Sequence, residues 1–277
     1  MLMISKEKLL IIAVVWLFLL AGTLAAAPKA DLWPRWQTHD PGSSTEVDHS
    51  AWDRFLDRYL VANHPSGINL LNYGDVTAED RQRLESYLDS LQETPVSQLN
   101  RQEQRAYWIN LYNAATVKVI LDNYPVSSIT KINLSSGLFS RGPWDAKILR
   151  IEGEEVSLND VEHRILRPIW NDPRGHYTVN CASIGCPNLQ DRAYTSENIE
   201  ALLEKGAREY INHSRGVSFQ GRKLVLSGIY DWFQEDFEGS EEGVLRHLRR
   251  YAAPELAGKL ESFSGRIGYG YDWSLNE

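Results

Sequence analysis

The sequence predicts an α+β fold, a predominantly helical single domain around a small, mainly antiparallel sheet. Apolar residues recur at helical spacing along most of the chain, β-rich stretches are short and scattered, and no shift in composition after residue 50 marks a linker. Of 277 residues, 43% are hydrophobic and 24% charged, a balance that supports a sizeable core. Nine tryptophans and thirteen tyrosines make that core rich in rings.

Residues 1–27 read as a secretory signal: Lys6 and Lys8, then an apolar run, then Ala25, Ala26 and Ala27 as a small-residue cut site. The competing reading is an uncleaved anchor, since the run over 9–27 is just long enough to span a bilayer. Both put the domain outside the cytoplasm, periplasmic or secreted, with membrane contact only if the segment is not cleaved. Residues 28–49 contain Pro and Ser without a period and read as an irregular arm; residues 50–277 read as the globular domain.

Trp52, Phe55, Leu56 and Tyr59 give the first helix its rhythm. "NHPSGINLLNYGDV" breaks it as a loop with a short extended piece. Thr77, followed by Asp80, opens a second helix with Leu84, Tyr87, Leu88 and Leu91 as its buried stripe. The strongest helical signal runs from Ser97 to Pro125. From Ala106 to Leu121 it is apolar on nearly every face, the pattern of a central helix. Asn110 and Asn113 are neighbours on it.

Residues 126–150 read as loop with short strands near "KIN" and "AKILRI". Ser157 caps a helix with Val161, Ile165 and Ile169 facing inward and Asn159, His163 and Arg167 as a polar stripe. "HYTVNC", His176–Cys181, alternates β-formers and reads as a strand. Thr195 caps the next helix, "VSFQGRKLVLS" is a hairpin turning at Gly221, and "SGIYDWFQEDF" and "SEEGVLRHLRRYA" are helices with serine caps. The tail "RIGYGYDWSLNE" is strand-like.

A formal charge of −8 without a basic run excludes nucleic-acid binding. The chemistry concentrates in "HYTVNCASIGCPNL", which holds the chain's two cysteines. A nucleophilic Cys181 needs a base. On an extended strand His176 and Cys181 face opposite ways, so His176 serves only if the strand bulges or ends early. His163 is better placed, with Asn159 one turn away to hold its ring. A Cys181–Cys186 disulfide needs no histidine and suits an oxidising compartment. A redox-active pair is a further reading, although the spacing is not Cys-x-x-Cys. His163, His176, Cys181 and Cys186 together match no zinc pattern, and no metal or cofactor is expected. Asn110 and Asn113 either bridge to backbone or line a cleft with the cysteine loop. Arg141, Asp145 and Arg174 either bind a charged partner or pin loops.

The stretches "RAYWINLYNAATVKVIL", "GPWDAK", "VSLNDVEHRILRP", "DPRGHYTVNCASIGCPNL", "LSGIYDWFQEDF" and "YDWSLN" resemble the uncharacterised family catalogued as domain of unknown function 547, over roughly residues 50–275. Trp108, Asn110, Asn113, Trp144, Asp145, Glu162, His163, Arg164, His176, Asn180, Cys181, Ser183, Cys186 and Pro187 match its motifs. The resemblance brings no agreed activity. That some eukaryotic members join the domain to a glutaredoxin module implies thiol chemistry.

The leading expectation is an exported cysteine-dependent hydrolase or acyl or amide transferase acting on a small molecule or peptide. Cys181 is its nucleophile, His163 its base and His176 the second choice; Asn110, Asn113 or Asn180 orients the base or donates to an oxyanion. The alternative is a non-catalytic envelope domain with a Cys181–Cys186 disulfide and aromatic grooves for a peptide, glycan or lipid.

Overall fold

The computed structural model describes residues 28–134 and 142–277. The signal-like segment and Arg141 lie outside them. Eight α-helices over the described residues are α1 (Ser50–Tyr59), α2 (Ala78–Glu93), α3 (Arg101–Asn123), α4 (Arg167–Trp170), α5 (Ile199–Ile211), α6 (Ile229–Trp232), α7 (Glu241–Tyr251) and α8 (Pro254–Glu261). The fold is α+β. Its strands divide among three small sheets: β1 (Leu60–Val61) with β2 (Leu70–Leu71), β3 (Leu149–Ile151) with β4 (Glu154–Val156), and β5 (Val217–Gln220), β6 (Lys223–Ser227) and β7 (Arg266–Gly270). Three strand pairs are antiparallel; β6–β7 is parallel. A parallel pair requires a long crossover, and α6, α7 and α8 occupy it.

Capping chemistry sets the helix starts. Thr77 accepts from the Asp80 N–H ahead of α2, and Asn100 accepts from the N–H groups of Gln102 and Glu103 ahead of α3. α3 is buried along nearly its whole length, as a helix apolar on all sides must be. One hydrophobic cluster surrounds α3. A second joins α5, β5, β6, α6 and α7 around Tyr210, Tyr230 and Phe237.

Ser157 and Asp160 exchange hydrogen bonds at the next helix start: the Asp160 N–H donates to Ser157 Oγ at 3.1 Å, and the Ser157 N–H to Asp160 Oδ2 at 2.8 Å. Asp160–Leu166 then winds as a π-helix that runs into α4. The Arg167 N–H reaches back five residues to the Glu162 carbonyl, and Pro168 has no N–H to offer. The carbonyls of His163 and Arg164 are thereby left open, and the arm closes them. The Asp31 N–H donates to His163 O at 3.0 Å and the Trp33 N–H to Arg164 O at 2.9 Å. The arm continues into a 3₁₀ turn, Pro34–Gln37, that buries Trp36 edge-on against Trp108 at 5.1 Å.

Three local expectations change. The "KIN" stretch is not a strand: Lys131 ends a 3₁₀ turn, Ile129–Lys131, and Ile132 and Asn133 follow it without regular structure. Ile169 is only partly buried, because the π segment rotates the residues after it off the stripe that Val161 and Ile165 begin. "HYTVNC" is not a strand: Pro173–Tyr177 is a 3₁₀ turn, capped where Asp172 accepts from the Arg174 N–H, and Thr178 Oγ1 donates back to Gly175 O at 2.7 Å. These side-chain bonds to nearby backbone outcompete β propensity.

Candidate functional site

Two asparagines on α3 hold the segments that carry the chemistry. Asn113 donates through Nδ2 to Thr178 O at 2.9 Å and accepts the Asn180 N–H at 2.9 Å. Asn110 does the same for Tyr194, at 2.7 and 3.0 Å. Each amide acts as a backbone mimic buried inside the core. Asn180 closes the cysteine loop on itself: Nδ2 donates to Pro187 O at 2.7 Å and Oδ1 accepts the Ala182 N–H at 2.8 Å. These amides bond backbone, and none orients an imidazole.

Within that loop the Cys181 and Cys186 sulfurs lie 2.7 Å apart, in contact but unbonded. The Cys181 N–H donates to Cys186 Sγ at 2.9 Å. Ser183 Oγ and the Tyr271 hydroxyl each stand 3.1 Å from Cys181 Sγ. Ala182, between the sulfurs, takes a left-handed φ of 57°, a conformation a non-glycine residue keeps only when its surroundings enforce it. The C-terminal tail enforces it. The Ile184 and Gly185 N–H groups donate to Ser274 O and Asp272 O, both at 2.8 Å, and Asn276 N–H donates to Ala182 O. Gly185 is required here, since a Cβ would sit 2.9 Å from the Asp272 backbone.

Burial pushes the Cys181 thiol up, and the charge of Cys186 adds to it. Burial also opposes ionisation of Cys186, but the Cys181 S–H, the Tyr271 hydroxyl and the Cys181 N–H together bring it below the usual thiol range. When the reduced pair loses one proton, the charge is therefore better held by Cys186 than by Cys181.

Both histidines have other partners. His176 Nε2 lies 2.7 Å from Asp236 Oδ2, and its ring stacks on Phe233 at 4.7 Å. Arg167, with its side chain 6% exposed, donates from Nε to the same oxygen at 2.6 Å. His163 Nδ1 faces Arg167 at 3.1 Å. Burial lowers the His163 pKa, with Arg167 and His176 adding to the effect. Burial would raise Asp236, but His176 and Arg167 bring it down to about 2. Glu162, Arg167, Asn171, His176, Val179 and Asp236 line a cavity of about 20 Å³, room for one water. Among the described residues no imidazole hydrogen-bonds either sulfur. Tyr112 is buried on α3: burial raises its phenol, and the charges of Glu162, Cys181 and Cys186 raise it further.

Asn159 does not hold His163, because its amide donates to Asp145 at 2.6 Å. Arg174 pairs with Asp172 and Glu200 and pins a loop. Sequence reasoning missed Tyr271 and Asp236, placing them only in the strand-like tail and in the "SGIYDWFQEDF" helix. It gave Ser183 no role, although the residue lies in the quoted cysteine motif. No group of three or more His, Cys, Asp or Glu among the described residues is arranged to hold a metal ion, and no described helix is long and apolar enough to cross a membrane.

Residues 96–211 match the family described as "Protein of unknown function, DUF547". That span contains α3, the π segment and the whole cysteine loop. No curated protein and no solved structure matches the chain.

Proposed function

We propose that the chain is an exported domain, periplasmic or secreted, whose working centre is a Cys181–Cys186 pair that cycles between dithiol and disulfide. One observation carries the reading: the two sulfurs stand 2.7 Å apart inside a loop tied at both ends. Closing the bond needs only a short approach. The reaction is exchange with an outside disulfide. The protein's two thiols become one disulfide, and the outside disulfide becomes two thiols carrying the two protons and two electrons released. The signal-like residues 1–27 support an oxidising compartment, where such a pair closes.

A hydrolase or acyl transferase built on Cys181 and His163 needs an imidazole at the sulfur. The partners found for His163 and His176 favour the disulfide reading over that one. The test is equilibration of the mature chain in glutathione buffers of graded potential, with free thiols counted at each step. Two thiols lost together and regained together support the proposal. Thiols that persist across the whole series overturn it.

A further inference from the structure

We propose that Tyr271 is the positioning residue of the thiol pair: its hydroxyl, within hydrogen-bond reach of Cys181 Sγ, holds the thiolate when the shared proton crosses and the charge comes to Cys181, the sulfur that meets an outside disulfide. The inference rests on the redox reading above and assigns the division of labour inside it.

The two sulfurs are not equivalent. Cys186 is 3% exposed, whereas Cys181 is only partly buried. An incoming disulfide therefore meets Cys181 first. The resting charge, however, is better held on Cys186, which accepts the Cys181 N–H at 2.9 Å. Reaction at Cys181 requires the shared proton to cross the 2.7 Å between the sulfurs. A thiolate then on Cys181 finds the Tyr271 hydroxyl in place as a donor 3.1 Å away, and Ser183, which donates to the Tyr271 oxygen at 3.1 Å, supports that hydroxyl from 3.1 Å off the same sulfur. Hydrogen bonds to an ionised sulfur are the strong kind.

Packing and backbone bonds hold Tyr271 in this position. Its ring packs against Trp273 at 4.6 Å and Trp232 at 4.9 Å, two rings that themselves stack at 5.6 Å. The next residue, Asp272, is fixed by its carbonyl to the Gly185 N–H. Burial raises the phenol well above its ordinary range, with the cysteine charges adding to the effect, so the hydroxyl stays protonated and remains a donor.

The step balances. The Cys181 thiolate attacks one sulfur of the outside disulfide, forming the mixed disulfide and expelling a thiolate. That thiolate takes the proton left on Cys186. The Cys186 thiolate then attacks Cys181, closes the intramolecular bond and expels the second outside thiolate, which is protonated by water.

The experiment alkylates the fully reduced mature chain with iodoacetamide across a pH series and maps the modified sulfur by mass spectrometry. Tyr271→Phe keeps the ring and its packing and removes only the hydroxyl. Cys181 alkylation at neutral pH should slow about tenfold and its pH profile should move up by about one unit. Ser183→Ala should move the profile the same way, and stands as the test if Tyr271→Phe does not fold. An unmoved profile in the folded variant overturns the inference, as does preferential alkylation of Cys186 in the unsubstituted chain. Oxidation by oxidised glutathione is measured separately. A wild-type chain that never closes its disulfide defeats the redox reading, while the alkylation profile reports on Tyr271 alone.

Discussion

Asn113 Oδ1 accepts the Asn180 N–H at 2.9 Å, so a buried helix and the cysteine loop share one hydrogen-bonded joint. With its companion bond to Thr178 O, this joint sets where Cys181 begins. Asn113→Ala leaves a buried N–H and a buried carbonyl unpaired. It should destabilise the fold by about 2–4 kcal/mol in urea titration and raise the alkylation rate of Cys186 as the loop loosens. A neutral effect on both would remove the joint from the account.

The two centres should be separable. His163→Gln and His176→Gln should leave the pH profile of Cys181 alkylation in place, because neither ring hydrogen-bonds sulfur. A catalytic Cys–His pair would instead show a large loss of thiol reactivity at neutral pH.

Arg167 joins Asp236, Glu235, His163 and the Pro28 carbonyl with its side chain almost fully buried. Arg167→Ala should cost about 3–5 kcal/mol in chemical denaturation, most of it from the carboxylates left uncompensated. The arm should release at the same time, seen as new protease cuts between Pro28 and Trp36.

Acid should weaken the fold in two stages. Burial pushes His49 and His247 down to about 4 from 6.5. Between those values the unfolded chain binds protons that the native chain refuses, so stability is full above about 6.5 and falls as pH drops toward 4. Asp236, held down to about 2 against burial by His176 and Arg167, contributes stability present above its ordinary value near 3.8 and lost as pH falls toward 2. Thermal melts across pH 7 to 2 check both stages. A melting temperature that stays level from pH 6.5 to 4 would contradict the first.

The parts of this fold that were legible depend on local signals. Thr77, Ser157 and Ser240 cap helices because their hydroxyls find an N–H three residues on, and Gly221 turns the hairpin because its φ is positive. α3 announced its central place by being apolar on all sides. The cysteine segment misled because its β-forming residues are overruled by Asp172, Thr178 and Asn113, two of them acting across a turn and one from 65 residues away. Tyr271 was invisible for the same reason of distance. It reaches Cys181 from 90 residues downstream, just past the end of β7, whose parallel pairing with β6 no local period encodes.

The most direct measurement is the intact mass and thiol count of the chain purified from its native compartment without reductant, beside the same protein after reduction. The expected result is no free thiol before reduction, two after it, and a mass lower by two hydrogens in the unreduced form. Two free thiols in both samples would contradict the paired Cys181–Cys186 centre.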